Sequence, residues 1–442
     1  MKLFCHIVCC SLFLFLTACG GGGSSTPTYT VGGTVSGLTS GSLVLKNNGG
    51  DALTISANST SFTFDTGLAS GAAYAVTAGT QPNRLACKVA NNTGTVASAN
   101  VTGVTITCIA PVYVANGSSN TVSMYEMDAT TGILTPLATP TVATVTTPSS
   151  ISINPAGTFV YVTNQASNNV SMYAINAATG ILTALATPTV NTGFTPTSIT
   201  VNPAGTFAYV ANWTGNTVSM YAINATTGIL TALTTPTVAT GSNPFSIAVN
   251  PAGTFAYVAN QGSTTVSMYA INATTGILTP LATPTVATQQ MPISIAVNPA
   301  GTFAYVTNKF GDTVSMYAIN ATTGILTPLA TPTVATETIP VSIAVNPAGT
   351  FAYVANNDSN TISMYAINST TGILTPLATP TVATGTAPSS ISINPAGTFA
   401  YVTNSGNDTV SMYAINATSG ILTALSTPRV ATGGRPWSIT FK

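Results

Sequence analysis

The chain has 442 residues, only 4% of them charged, with eight basic and eight acidic side chains and a formal net charge of zero. So sparse and balanced a charge offers no basic face for nucleic acid and no field for anionic lipid. The single histidine, His6, lies near the start, so the body of the chain has no imidazole for acid–base work or for a Cys/His metal cluster.

Met1 and Lys2 precede an apolar run, Leu3 to Leu16, that is too short for a permanent membrane span and reads as an export signal. It ends Leu16-Thr17-Ala18-Cys19, the small-residue pattern that precedes a lipidated cysteine in bacterial lipoproteins. The expectation is a signal peptide over 1–18, a lipid on Cys19, and a Gly/Ser tether over 19–27. That would place the protein in the bacterial cell envelope, held to the membrane by its lipid. Gly20, rather than Asp, follows the cysteine, which resembles the outer-membrane or surface pattern. The alternative is an ordinary cleaved signal in which Cys19 is incidental.

Residues 28–109 break into short strands with turn signals about every ten residues, such as Asn47-Asn48-Gly49-Gly50 and Asn91-Asn92-Thr93-Gly94. That spacing predicts a small immunoglobulin-like β-sandwich acting as a spacer. It carries Cys87 and Cys108, the two cysteines outside the signal region, and an oxidising compartment favours their pairing as a disulfide.

From residue 110 the chain is a repeat. The proline of an NPAGTF turn returns as Pro155, Pro203, Pro251, Pro299, Pro347 and Pro395, always 48 residues apart. Each unit holds four alternating runs, as in Ser150–Asn154, Phe159–Asn164, Val170–Asn176 and Ile181 to about Val190. Four antiparallel strands at this period describe a propeller blade. Second strands open at seven tyrosines, from Tyr113 to Tyr401, and seven first strands begin from Ser149 to Ser438, offset by one element. The predicted fold is therefore all-β: a seven-bladed propeller over 110–442, its ring closed when the last strand completes the first sheet. A propeller of this kind needs no partner and is expected to be monomeric.

Within the chain, two turns hardly vary, NPAGTF and N-A-T-T-G, while the two other connections do, and alternate turns lie on one face of the disc. Recognition is commonly built on loops carried by a rigid scaffold. The candidate ligand face is Phe194, Trp213, Phe245, Met291, Lys309, Phe310, Asp312, Asp358, Asp408 and Trp437, for an unidentified small-molecule, glycan or protein ligand. The competing reading is that the constant turns are chemically demanding and the others drift. A ring of seven asparagines, Asn116 to Asn404, closes the second strands and reads as structural Asx chemistry. The isolated acids offer no cluster for a hard cation, so no metal and no cofactor is expected.

The phrase NPAGTFVYVTN…VSMYAIN…TGIL, with Tyr161-Val162-Thr163-Asn164 returning at Tyr305–Asn308 and Tyr401–Asn404, resembles the YVTN-repeat and lactonase families of seven-bladed propellers over residues 112–442. The resemblance implies hydrolysis of sugar lactones such as phosphogluconolactone in some members, and surface or binding roles in others. For a hydrolase, Glu337 and Arg435 are the candidate catalytic residues, as a carboxylate–guanidinium pair at the channel mouth. The leading expectation is a lipid-anchored binding or surface scaffold. The alternatives are a lactonase-like hydrolase and a purely structural surface repeat.

Overall fold

The computed structural model describes residues 26–442, so the signal region and Cys19 lie outside the described residues. Residues 28–109 form two facing sheets around one core that includes Val31, Leu43, Leu45, Phe64, Val76 and Ile106. One sheet orders Ser61–Thr63, Val31–Ser36, Val101–Asn116 and Ala86–Ala90, the other Asp51–Ser56, Ser42–Asn47, Ala73–Thr80 and Thr93–Thr95. Val31–Ser36 runs parallel to Val101–Asn116. Cys87 and Cys108 stand opposite each other on antiparallel strands and are joined by a disulfide.

The boundary between residues 109 and 110 lies within a strand rather than in a linker. Val101–Asn116 is one strand of 16 residues. Its first part belongs to the sandwich, and its last part, Ala110 to Asn116, is the second strand of a propeller blade. No turn interrupts the run VTGVTITCIAPVYVAN: Gly103 falls at a register shift, and Pro111 where the chain passes from one domain to the other.

The remaining chain makes seven four-stranded blades. The second blade is typical, with an inner strand Pro148–Ile153, then Phe159–Asn164, Asn169–Ile175 and an outer strand Leu182–Asn191. Inner strands of blades three to seven start at Pro196, Pro244, Pro292, Pro340 and Pro388. The first blade is completed by the chain's last strand, Pro436–Phe441, which pairs antiparallel with Val112–Asn116. Pro188 in the outer strand lies where the ladder shifts register, so its missing N–H is not called on.

Two rings of tyrosine hydroxyls join neighbouring blades. Those of the second strands, Tyr113 through Tyr401, donate to the carbonyl of the turn glycine in the next blade at 2.6–2.9 Å, as Tyr161 does to Gly228. Those of the third strands, Tyr125 through Tyr413, donate back to the outer strand of the preceding blade at 2.6–2.7 Å. Tyr401 to Gly132 and Tyr125 to Ala431 carry both rings across the closure. Gly228 has φ of +72° and packs on the Phe159 ring of the blade before it. A side chain there would meet both obstacles. The constant turns are constant because each is docked into a neighbour.

The sandwich sits on the constant-turn end of the disc. Lys442, only 6% exposed, donates from its backbone to the Pro111 carbonyl and from Nζ to the Leu85 carbonyl at 2.6 Å. Burial pulls its ammonium down to about 8. The first blade also departs from the repeat where it meets the sandwich: Glu126-Met127-Asp128 replaces the Ala-Ile-Asn of the other blades, beside Gly37, Leu85 and Cys108.

Candidate functional site

At the variable end of the channel the inner strands and the residues after five of the seven asparagines line a cavity of about 560 Å³. The asparagines themselves are buried beneath it. Each donates through Nδ2 to the serine hydroxyl of the third strand at 2.8–2.9 Å, as Asn212 does to Ser219. They form the floor's framework, and the next residue reaches the cavity in five blades, as Gln165, Gln261, Lys309, Asn357 and Ser405. The sequence carries the signal for these positions, since each follows an invariant asparagine of the repeat, but Gln165, Gln261, Asn357 and Ser405 were absent from the candidate face.

The second contribution is the residue after the proline that opens each inner strand. Ser149, Thr197 and Ser389 present hydroxyls, while Phe245, Ile293, Val341 and Trp437 present apolar groups. The three hydroxyls are spent on neighbouring blades: Ser149 Oγ donates to Pro196 O at 2.9 Å and Ser389 Oγ to Pro436 O at 2.6 Å. Trp437 lies across Gly117, where an added Cβ would come within 2.5 Å of the indole.

The residue before each of those prolines is left-handed without being glycine: Thr147, Thr195, Asn243, Met291, Ile339, Ala387 and Arg435 have φ from +51° to +57°. Two hydrogen bonds hold the unfavourable backbone. At Arg435, the amide donates to Asp408 Oδ1 at 2.7 Å and the carbonyl accepts from Gly117 at 2.9 Å. The guanidinium then stacks over the Trp437 ring at 4.9 Å. Asp312 does the same for Ile339 at 2.9 Å. In four other blades Asn120, Asn168, Asn216 and Asn360 take this part, whereas before Met291 the equivalent residue is Thr264 and the bond from the Lys309 amide to the Met291 carbonyl remains. Asp312 and Asp408 thus each hold a blade connection through Oδ1 and do not line the cavity. No cluster of metal-ligating side chains exists among the described residues.

The other expected residues divide plainly. Arg435, Lys309, Phe245 and Trp437 line the cavity. Trp213 stands behind it, its indole Nε1 donating to Gln261 Oε1 at 2.9 Å. Phe194 and Phe310 project outward, 68% and 56% exposed, with the Lys309 ammonium 5.6 Å from the Phe310 ring. Met291 contributes its carbonyl to the Lys309 amide rather than its side chain to the cavity. Asp358 is exposed and away from the lining.

Glu337 does not pair with Arg435. Its loop enters the ring at Pro340 and that of Arg435 at Pro436, two blades away. Within its loop Glu337 occupies the place of Gly433, two residues before the place of Arg435, and is exposed. The carboxylate–guanidinium pair expected from the sequence is not assembled.

No carboxylate and no imidazole lines the cavity, whereas two cations do. Lys309 and Arg435 stand on opposite sides of the mouth, three blades apart one way and four the other. Between them lie the faces of Phe245 and Trp437 and the amides of Gln165, Gln261 and Asn357. Such a site can take a small ring compound with an anionic or strongly polarised oxygen. The cavity at the opposite end, about 400 Å³, is walled by Ala248, Val249, Ala296, Val297, Ala344 and Val345 among others, with Thr200 and Ser392 as its polar side chains.

Comparison with known proteins agrees with this architecture. The sequence model of a family described as "Lactonase, 7-bladed beta-propeller" matches residues 109–195, 186–295 and 282–387. The fold is similar to a candidate 6-phosphogluconolactonase from Bacteroides fragilis, at 22% identity and a TM-score of 0.68 over 76% of this chain and 98% of that one. It is also similar to a periplasmic gluconolactonase from Pseudomonas aeruginosa, at 20% identity and a TM-score of 0.65 over 75% and 99% of the two chains. A protein from Lactobacillus plantarum gives 22% identity and 0.65 over 76% and 99%. A search of curated proteins finds no match.

Proposed function

The chain belongs to the seven-bladed β-propeller lactonase family, and on that premise we propose that it hydrolyses a small sugar lactone in the cavity at the variable mouth. The observation that carries this reading is the pair of cations, Lys309 and Arg435, in a cavity lined by aromatic faces and amides and by no acid. Water adds to the lactone carbonyl carbon and the ring C–O bond breaks. The released alkoxide takes the proton, and the product is the open hydroxy acid. An ester already strained and reactive needs mainly stabilisation of the oxyanion, which a fixed cation and amide N–H groups supply without a titrating base. One cation faces the developing oxyanion, while the other holds a second polar or anionic group of the sugar.

The test is acid release measured by pH-stat from a panel of δ-lactones, with and without a phosphate or carboxylate, using the mature protein. A Lys309→Met/Arg435→Met pair is expected to lose about 100-fold or more in kcat/KM, the usual scale for an oxyanion contact. Wild-type rates no higher than spontaneous hydrolysis would sink the hydrolase reading. Binding of the corresponding sugar acids without hydrolysis would instead support a ligand-binding scaffold, a role favoured by the missing carboxylate and imidazole.

We also propose that the protein is exported and held to the bacterial envelope by a lipid on Cys19. Fatty-acid labelling that survives Cys19→Ser would refute this.

A further inference from the structure

Trp213 does not line the cavity, yet its indole Nε1 sits 2.9 Å from Oε1 of Gln261, which does. An indole nitrogen only donates, so the atom facing it must be the amide oxygen. The orientation of this glutamine is therefore fixed by chemistry, although oxygen and nitrogen look alike in most amides. Gln261 is left with its Nε2 hydrogens to direct elsewhere. Its backbone is held as well, its N–H donating to Asn243 O at 2.9 Å, while Asn243 Nδ2 donates to Trp213 O at 3.3 Å. Lys309 stands in the next blade at the equivalent position. Gln165, by contrast, has no side-chain hydrogen bond within the protein to fix its amide, and Asn357 spends its Nδ2 on Pro388 O at 2.8 Å.

Resting on the hydrolase reading above, we propose that Trp213 is a positioning residue that locks Gln261 so that its Nε2–H groups and the Lys309 ammonium together form the oxyanion site. The lactone carbonyl then lies on the side of blades four and five, and Arg435 with Trp437 receives the far side of the ring. With Oε1 engaged by the indole, Gln261 offers its Nε2–H groups, which suits an oxygen gaining negative charge.

The test is a cycle of Trp213→Phe, Gln261→Ala and the double variant, assayed on D-glucono-δ-lactone by pH-stat, with thermal melts to confirm folding. Trp213→Phe keeps an aromatic side chain and removes the indole N–H donor. It is expected to lower kcat about tenfold with KM changed less than twofold, and the double variant is expected to be no worse than Gln261→Ala. An unchanged Trp213→Phe, or losses that multiply, would overturn the proposal. A wild type inactive on every lactone fails the hydrolase reading instead. The lock is then judged by NMR of the Gln261 side-chain amide, expected to hold one environment in the wild type and to average in Trp213→Phe. Averaging in both proteins would overturn it.

Discussion

Raising the pH is expected to take this propeller apart in one step. Fourteen tyrosines, those of the two inter-blade rings, are buried with their hydroxyls bonded to carbonyls, and burial raises every one of them above the ordinary tyrosine value of 10.0. Tyr221, Tyr269, Tyr317 and Tyr365 are pushed up to about 12. Below pH 10 both folded and unfolded chains keep these protons, and stability is unaffected. Above it the unfolded chain ionises while the folded one does not, so the unfolded state binds fewer protons and stability falls with pH. At about pH 11 the loss is about 1.4 kcal/mol for each of the eleven tyrosines raised furthest, about 15 kcal/mol together. That matches the upper end of the 5–15 kcal/mol typical of a folded domain. Tyrosinate absorbance and far-UV circular dichroism, followed together from pH 8 to 12, are expected to change in one cooperative transition between about pH 10 and 11. Absorbance that climbs gradually while the dichroism stays native would show that the hydroxyls are not held as described.

Single sites of the same framework give smaller effects. Tyr209→Phe strands the Gly276 carbonyl that its hydroxyl reaches at 2.8 Å, and is expected to cost about 1–3 kcal/mol in urea unfolding with an unchanged m-value. Asp312→Ala removes the acceptor for the Ile339 amide and is expected to cost about 1 kcal/mol, with Asp312→Asn near neutral. Added calcium is expected to leave the melting temperature of wild type and both variants unmoved. Deleting residues 436–442 removes the strand paired with Val112–Asn116 and the buried Ile439. A drop in melting temperature of at least 10 °C is expected, with earlier proteolysis at the exposed edge, whereas an intact melt would refute closure by that strand. Because no histidine, aspartate or glutamate lines the cavity, lactone hydrolysis corrected for background is expected to show no acidic limb between about pH 5 and 7.

The blade was legible because its two-residue alternation, its turn residues and its fixed period all agree. The closure was legible because inner and second strands are equal in number but offset. What one sequence does not reveal is how far along a loop the chain turns toward the axis. Arg435 and Glu337 sit in equivalent loops, yet the residue beside the proline reaches the mouth and the one two places earlier stays at the rim. The tyrosines read as strand residues, and nothing local says that their hydroxyls end on another blade. Residues 109 and 110 read as a border because the repeat starts there; the pairing partners change at that point, but one strand runs through it. Asp312 and Asp408 stood out as rare charges, but the neighbouring blades use asparagine for the same bond.

That uninterrupted strand has a mechanical consequence. Residue 116 ends it at the cavity rim, while its start pairs with Val31 at the end of the sandwich farthest from the disc. A pull applied at the N-terminal side and resisted by the disc draws Val31–Ser36 and Val101–Asn116 in opposite directions along their length. The hydrogen bonds between these parallel strands are then loaded together, in shear, rather than peeled open one after another. The same axis directs the cavity mouth away from the end of the sandwich where Val31 lies.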